Sequence, residues 1–254
     1  YLSAIMSVYR STAMAGVTME QAGEAIADLA NGYSSFNPAD INKGMVENVA
    51  LLKKLGVSGS QAAGVMETMH KVFGETKESA DEAAVAVIGM GMKIGISTKK
   101  MAADAEKHLG TLAFHGEQAI EVFQGMAAAA KATGLEMDTL MGVASKFDTF
   151  ADAADTAAKL NSVLGTQIDA MMGINMLETD RLKMISSELA SSGFQYMDKY
   201  TQLYVAQSLG LKDVGAALKL AKMNADDWDQ YMADMDAEKE RLESEPMSLD
   251  SPEL

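Results

Sequence analysis

The sequence predicts an all-α protein, and three observations predict it. Proline occurs only at positions 38, 246 and 252, so the long stretch between Pro38 and Pro246 lacks the residue that removes a backbone donor and clashes inside a helix. The good helix formers Ala, Met, Leu, Lys, Glu and Gln dominate, while aromatic residues make up only 6%. A helix-stop, helix-start signature recurs along the chain, with apolar residues at helical spacing between its copies. The expected architecture is a set of glycine-hinged helices, extended or bundle-like, packed against other copies of the chain.

Each joint is justified by its own residues. In order they are AGVTMEQAGEAI (Ala15–Ile26), LGVSGSQAAGVM (Leu55–Met66), FGETKESADEAA (Phe73–Ala84), IGISTKKMAADA (Ile94–Ala105), TGLEMDTLMGVA (Thr133–Ala144), SGFQYMDKYTQL (Ser192–Leu203) and LGLKDVGAALKL (Leu209–Leu220). Glycine tolerates the left-handed conformation that ends a helix. Ser58, Thr76, Ser97 and Thr98 can accept hydrogen bonds from the free N–H groups of the next helix. Thr76-Lys77-Glu78-Ser79 reads as a loose helix start without a strict capping box. The hinges are unevenly spaced, which argues against a solenoid of fixed period.

Between hinges, Met137, Leu140, Ala144, Phe147, Ala151, Ala154 and Ala158 alternate at three and four residues. That spacing places them on one seam, as in a coiled coil. Ile120, Phe123, Ala127 and Ala130 do the same upstream. A helix hairpin within one chain and self-association around a common axis both satisfy this pattern. The 21 methionines suit packing that fills irregular gaps. From Asn224 the character changes: Asn224 reads as an N-cap with Asp226 and Asp227 in the first turn. Between Asp226 and Leu254 eleven acidic residues face only Lys239 and Arg241. The expected division is therefore 1–223, a glycine-punctuated helical region, and 224–254, an acidic helix and a tail extended beyond it. Trp228 is expected to anchor that last helix.

Composition excludes several chemistries. There is no cysteine, hence no disulfide, thiolate metal site or cysteine nucleophile. The net charge of −15 disfavours nucleic-acid binding, which is led by Lys and Arg neutralising phosphates. Tyr1 opens the chain with no basic-plus-apolar leader behind it, which reads as part of a longer polypeptide. No stretch reaches the 18 to 20 or so uncharged apolar residues of a membrane span; the nearest is Ala83–Met92, interrupted by Lys93. VAVIGMGMKIG (Val85–Gly95) imitates a dinucleotide loop at Gly89 and Gly91, but Ile94 occupies the third glycine position and no second strand pattern follows. Gly91 and Gly95 read better as a face where helices approach closely. His70, His108 and His115 are the only histidines, and the seven-residue step from His108 to His115 is not the three- or four-residue step of a helical metal pair. No catalytic, cofactor-binding or metal residue is expected, and the chain is not expected to be an enzyme.

Across Ala158–Trp228 the sequence resembles tail tape measure proteins of long-tailed bacteriophages, particularly contractile-tailed ones. The shared features are the Leu-Asn-x-x-Leu-Gly-x-Gln stretch at Leu160–Gln167, the acidic-Arg turn at Glu178–Arg181, a short helix ending in Ser-Gly, and a helix entering Leu209–Leu211. The first 157 residues share only the family's style. The resemblance implies a virion structural protein that sets tail length, lies as several helical copies in the tube lumen, attaches at the tail tip or baseplate hub, and leaves ahead of the DNA. The partners it implies are other copies of the chain, tail tube and baseplate hub proteins, DNA passing nearby without specific binding, and host membrane at ejection. The implied location is the virion, after assembly in the host cytoplasm. The glycine-broken helices suit the C-terminal portion of such a ruler better than its shaft. The alternatives are a membrane-active pore former resting on Ala83–Ser97 and, as a minor one, a dinucleotide-binding enzyme resting on Gly89 and Gly91.

Overall fold

A computed structural model of the chain describes residues 16–33, 41–223 and 225–245, together with Met6, Val8, Arg10 and Thr12. The described residues form thirteen α-helices and no strand: α1 (Met19–Gly32), α2 (Lys43–Lys54), α3 (Gly59–Lys71), α4 (Lys77–Gly89), α5 (Thr98–Leu112), α6 (Ala119–Thr133), α7 (Met137–Ala144), α8 (Phe150–Leu164), α9 (Ala170–Asn175), α10 (Glu178–Ser191), α11 (Lys199–Ser208), α12 (Val214–Ala221) and α13 (Ala225–Ser244). Short 3₁₀ segments at Met90–Ile94, Ala113–Gln118, Ser145–Phe147 and Phe194–Tyr196 join some of them. The all-α expectation holds.

The joints are built as their residues dictate. After α2, Gly56 takes φ 84°. Its N–H bonds to the Lys53 carbonyl (3.0 Å) and the Val57 N–H to the Leu52 carbonyl (2.9 Å), the paired closure that ends a helix on a left-handed residue. Val57 is buried. Ser58 then caps α3, its side chain accepting from Gln61 N–H while the Gln61 side chain accepts from Ser58 N–H. Four residues thus stop one helix and start the next. The glycines of all seven recurring stretches, Gly16, Gly56, Gly74, Gly95, Gly134, Gly193 and Gly210, have positive φ, as do Gly116 and Gly165. Thr76 and Ser97 cap α4 and α5 as expected. Thr98 does not cap: it is the first helical residue of α5, and its hydroxyl donates to the Leu55 carbonyl at 2.6 Å. Asn224 lies outside the described residues, as does the tail expected at 246–254.

The chain divides into two compact units, and both draw on α13. Unit 1 holds the described residues up to Phe123 and those from Asp234 onward. Its core joins Ala25 and Leu29 of α1, Val49 and Leu52 of α2, Met66 and Met69 of α3, Ile88 of α4, and Met101 and Leu109 of α5. Helices α1 and α3 touch closely: a Cβ on Gly32 would lie 2.4 Å from that of Ala63. The Lys53 ammonium ties α2 to α1 through Glu24 (2.6 Å) and Asp28 (3.1 Å). Unit 2 comprises Gln124–Ala233. Its core is built on Phe147, Phe194, Leu140, Leu182, Leu189, Leu209, Leu220 and Trp228. Burying a side chain of this size contributes on the order of 2 kcal/mol, so these positions dominate cohesion.

The expected seam does not form a continuous coiled-coil stripe. A 3₁₀ segment follows α7, and α8 starts afresh at Phe150 with Thr149 as its cap. Met137, Leu140, Ala144 and Phe147 are buried, but Ala151 and Ala158 are exposed. In α8 the inward set is Ala153, Thr156, Ala157, Leu160 and Leu164. The restart rotates the buried face, and the unbroken three-four spacing in the sequence does not record that rotation.

Candidate functional site

The residues that carry the resemblance all fall in unit 2, and their side chains wire it together. Gly165 ends α8 in the left-handed conformation. Asn161, one turn earlier, clamps the loop that follows: its Oδ1 accepts from Ile168 N–H (2.7 Å) and Thr166 Oγ1 (2.8 Å), and its Nδ2 donates to the Ile168 carbonyl (3.0 Å). Such side-chain bonds to backbone satisfy polar groups that the turn leaves without helical partners. Asp169 then caps α9 through the N–H groups of Met171 and Met172.

Arg181 is the hub of this unit. It lies on α10 and is only 6% exposed. Its Nε donates to the Gly173 carbonyl (2.8 Å), Nη1 to the Ala144 carbonyl (3.2 Å) and to Asp148 Oδ1 (2.6 Å), and Nη2 to the Ile174 carbonyl (3.0 Å). One planar fork thereby joins the ends of α7 and α9 to α10, which a single-point lysine ammonium could not do. Gly173 is pressed against the Phe147 ring, where a Cβ would lie 2.4 Å from Cδ1. On the far side of α10, Ser186 Oγ donates to the Leu220 carbonyl at 2.8 Å. Sequence reasoning singled out Arg181 as part of a turn motif. Two of its acceptors, Ala144 and Asp148, lie 37 and 33 residues away, which spacing does not reveal.

Trp228 anchors α13 as expected, at 1% exposure. The Lys183 ammonium lies 5.1 Å from its ring centre and 3.2 Å from Asp229 Oδ1, a cation held over an aromatic face. Lys183, Ser186, Ser187, Ala190, Met223 and Asp229 line an adjoining groove of about 370 Å³. The groove offers one ammonium, one carboxylate and two hydroxyls, and no nucleophile–base pair is on view in that lining.

The surface of unit 2 carries its most unusual feature. Tyr196 and Tyr200 are each 85% exposed, and Leu203 and Tyr204 are also exposed. Their steps of four, three and one place Tyr200, Leu203 and Tyr204 along one face of α11, with Tyr196 just ahead of it. Asp198 caps this helix through Tyr200 and Thr201 N–H groups, and the Thr201 hydroxyl, which donates to its Oδ2 at 2.6 Å, together with those N–H bonds holds its carboxyl below the usual aspartate range. Val205 and Ala206 form the buried side. Phe150, Met171 and Met172 add exposed apolar side chains elsewhere on the unit. Periodicity did not find this face, because a tyrosine at helical spacing reads equally as core.

The other singled-out residues take structural places. Val85–Gly89 is the end of α4 rather than a strand, and Gly91 sits in the 3₁₀ turn after it, where a Cβ would meet Met101 Cγ at 2.7 Å. Gly95 does not share that face; it closes the turn at φ 73°. Residues 84–91 are buried in unit 1, and no described helix is long and apolar enough to cross a membrane. His70 Nδ1 lies 2.8 Å from the Glu75 carbonyl. His108 sits in α5 and His115 in the following 3₁₀ segment, and no group of three or more His, Asp or Glu among the described residues could hold a metal. No known protein family, curated protein or solved structure matches this chain.

Proposed function

We propose that this chain is a virion structural protein, the C-terminal portion of a phage tail tape measure, which occupies the tube lumen, attaches at the tail tip and leaves at DNA ejection. The observation that carries the reading is that the resembling segment, Ala158–Trp228, lies within one compact helical unit, and that its signature residues Asn161, Gly165 and Arg181 hold that unit together. Signature residues with structural work suit a protein that acts by shape and assembly. The strongly acidic composition suits a lumen through which DNA must pass without adhering. The tyrosine face of α11 suits burial in an assembly, since exposed aromatic clusters mark interaction surfaces. Its occupant is a second copy of the chain: α11 carries Lys199 as its one charged residue and no acidic one, so two copies meeting there escape the acidic repulsion that a net charge of −15 creates elsewhere.

The deciding experiment uses the phage that encodes the chain. Peptide mass spectrometry of purified tails is expected to find it in fixed ratio to the tube subunit, and deletion of its coding region is expected to abolish tails of wild-type length. Normal-length tails assembled in its absence would overturn the proposal.

A further inference from the structure

We propose that unit 1 carries a proton-operated latch in which Asp81, buried between α4 and the first turns of α2, holds these helices together when protonated and loosens them when ionised. The geometry is that of a carboxyl shut away with too few partners. Asp81 is 1% exposed. Its Oδ2 accepts from Asn48 Nδ2 at 2.8 Å, while Oδ1 is buried without a hydrogen-bond partner. The start of α2 presses on it: a Cβ on Gly44 would stand 3.0 Å from Oδ2. At the end of α1 the Tyr33 hydroxyl is also buried without a partner, and the charges of Asp81 and Glu67 act on it.

No cation is among the groups that act on the Asp81 carboxyl. Glu82, the next residue on α4, repels it. From α2 come Asn48 and Glu47, whose Oε1 is 3.2 Å from the Lys43 ammonium. From α3 comes Glu67, beside Tyr33. Helix α5 also packs on α4, and its Lys100 pairs with Asp104 at 3.5 Å. Burial is the largest influence and pushes the Asp81 carboxyl up to about 6, against the Asn48 hydrogen bond and the backbone N–H groups of Asp81 and Glu82, which lower it. A carboxyl raised in the folded state favours folding below its ordinary value, and that advantage is lost as pH rises through the raised value. The window is therefore pH 4 to 6, with the latch tight at its lower end and loosest, without further change, above its upper end.

Amide hydrogen exchange across α2 and α4 tests this in the full chain, comparing wild type with Asp81→Asn at pH 4, 5, 6 and 7. The ratio of wild-type to variant exchange rates cancels the intrinsic pH dependence. It is expected to climb by up to about a hundredfold between pH 4 and 6 and then level off, as a carboxyl raised from the ordinary aspartate value to about 6 requires. Tyr33→Phe, which removes a hydroxyl and no titrating carboxyl, is expected to keep the wild-type profile. A ratio constant with pH would overturn the latch. So would an NMR titration of the unaltered chain that placed the Asp81 carboxyl at the ordinary aspartate value.

Discussion

Replacing Arg181 with methionine tests the hub on which unit 2 is argued to depend. Methionine keeps much of the buried stem and removes the guanidinium. The carbonyls of Ala144, Gly173 and Ile174 then lose a donor, and a buried acceptor left without one costs about 1 to 3 kcal/mol. Gly173 retains a bond from Met176 N–H at 3.3 Å, so its share is the smallest. Asp148 is half exposed and returns to water at little cost. The sum is about 3 to 5 kcal/mol, the range found when one partner of a buried charged pair is removed. For a chain of this size each kcal/mol moves the melting midpoint by roughly 2 to 4 °C, so a fall on the order of 10 °C is expected. Trp228 is the single tryptophan and is buried in unit 2, so its fluorescence on heating follows the unit that contains Arg181. Arg181→Lys is expected to fall between wild type and Arg181→Met, because one ammonium cannot reach three separated carbonyls. A methionine variant that melted within about 2 °C of wild type would show that the fork is dispensable and refute the argument.

Other variants probe separate parts of the account. Tyr200→Glu with Tyr204→Glu places charge on the α11 face; sedimentation at rising concentration is expected to show association by wild type and its loss in the variant, and a wild-type chain monomeric throughout would remove the face as a self-contact. Gly173→Ala forces a methyl into the Phe147 ring, which a packed core resists by about 1 to 3 kcal/mol; chemical denaturation should register the loss, and an unchanged midpoint would mean that α9 moves aside freely. Asn161→Ala strips the loop clamp after α8 and is expected to speed exchange of the Ile168 amide at least tenfold, a change that limited exchange measurements can detect or deny.

The parts of the fold legible in the sequence are those fixed by neighbouring residues. A left-handed glycine and a serine or threonine cap are decided within four or five positions, so Gly56 with Ser58 and Gly95 with Ser97 could be read directly. The all-α class followed from the same local terms summed along the chain. What eluded reading depends on partners far along the sequence. The seam from Met137 to Ala158 looked continuous because spacing survives a helix break, whereas the break itself lies at the 3₁₀ segment Ser145–Phe147 and the Thr149 cap. Thr98 was misread as a cap because its actual acceptor, the Leu55 carbonyl, lies 43 residues earlier at the joint between α2 and α3. Asp81 was one acidic residue among 36, and only the packing of α2 over α4 distinguishes it. The aromatic face of α11 became visible once Val205 and Ala206 were seen to take the inner side.

Helix α13 has a consequence for how the protein comes into being. Met235 and Leu242, both buried, belong to unit 1, whose described residues before α13 all precede Gln124. The ribosome therefore releases everything needed for unit 2 while unit 1 still waits for its closing segment. A nascent chain interrupted near Ala233 would hold a finished later half and an unfinished earlier one, reversing the usual order in which the first-made part matures first.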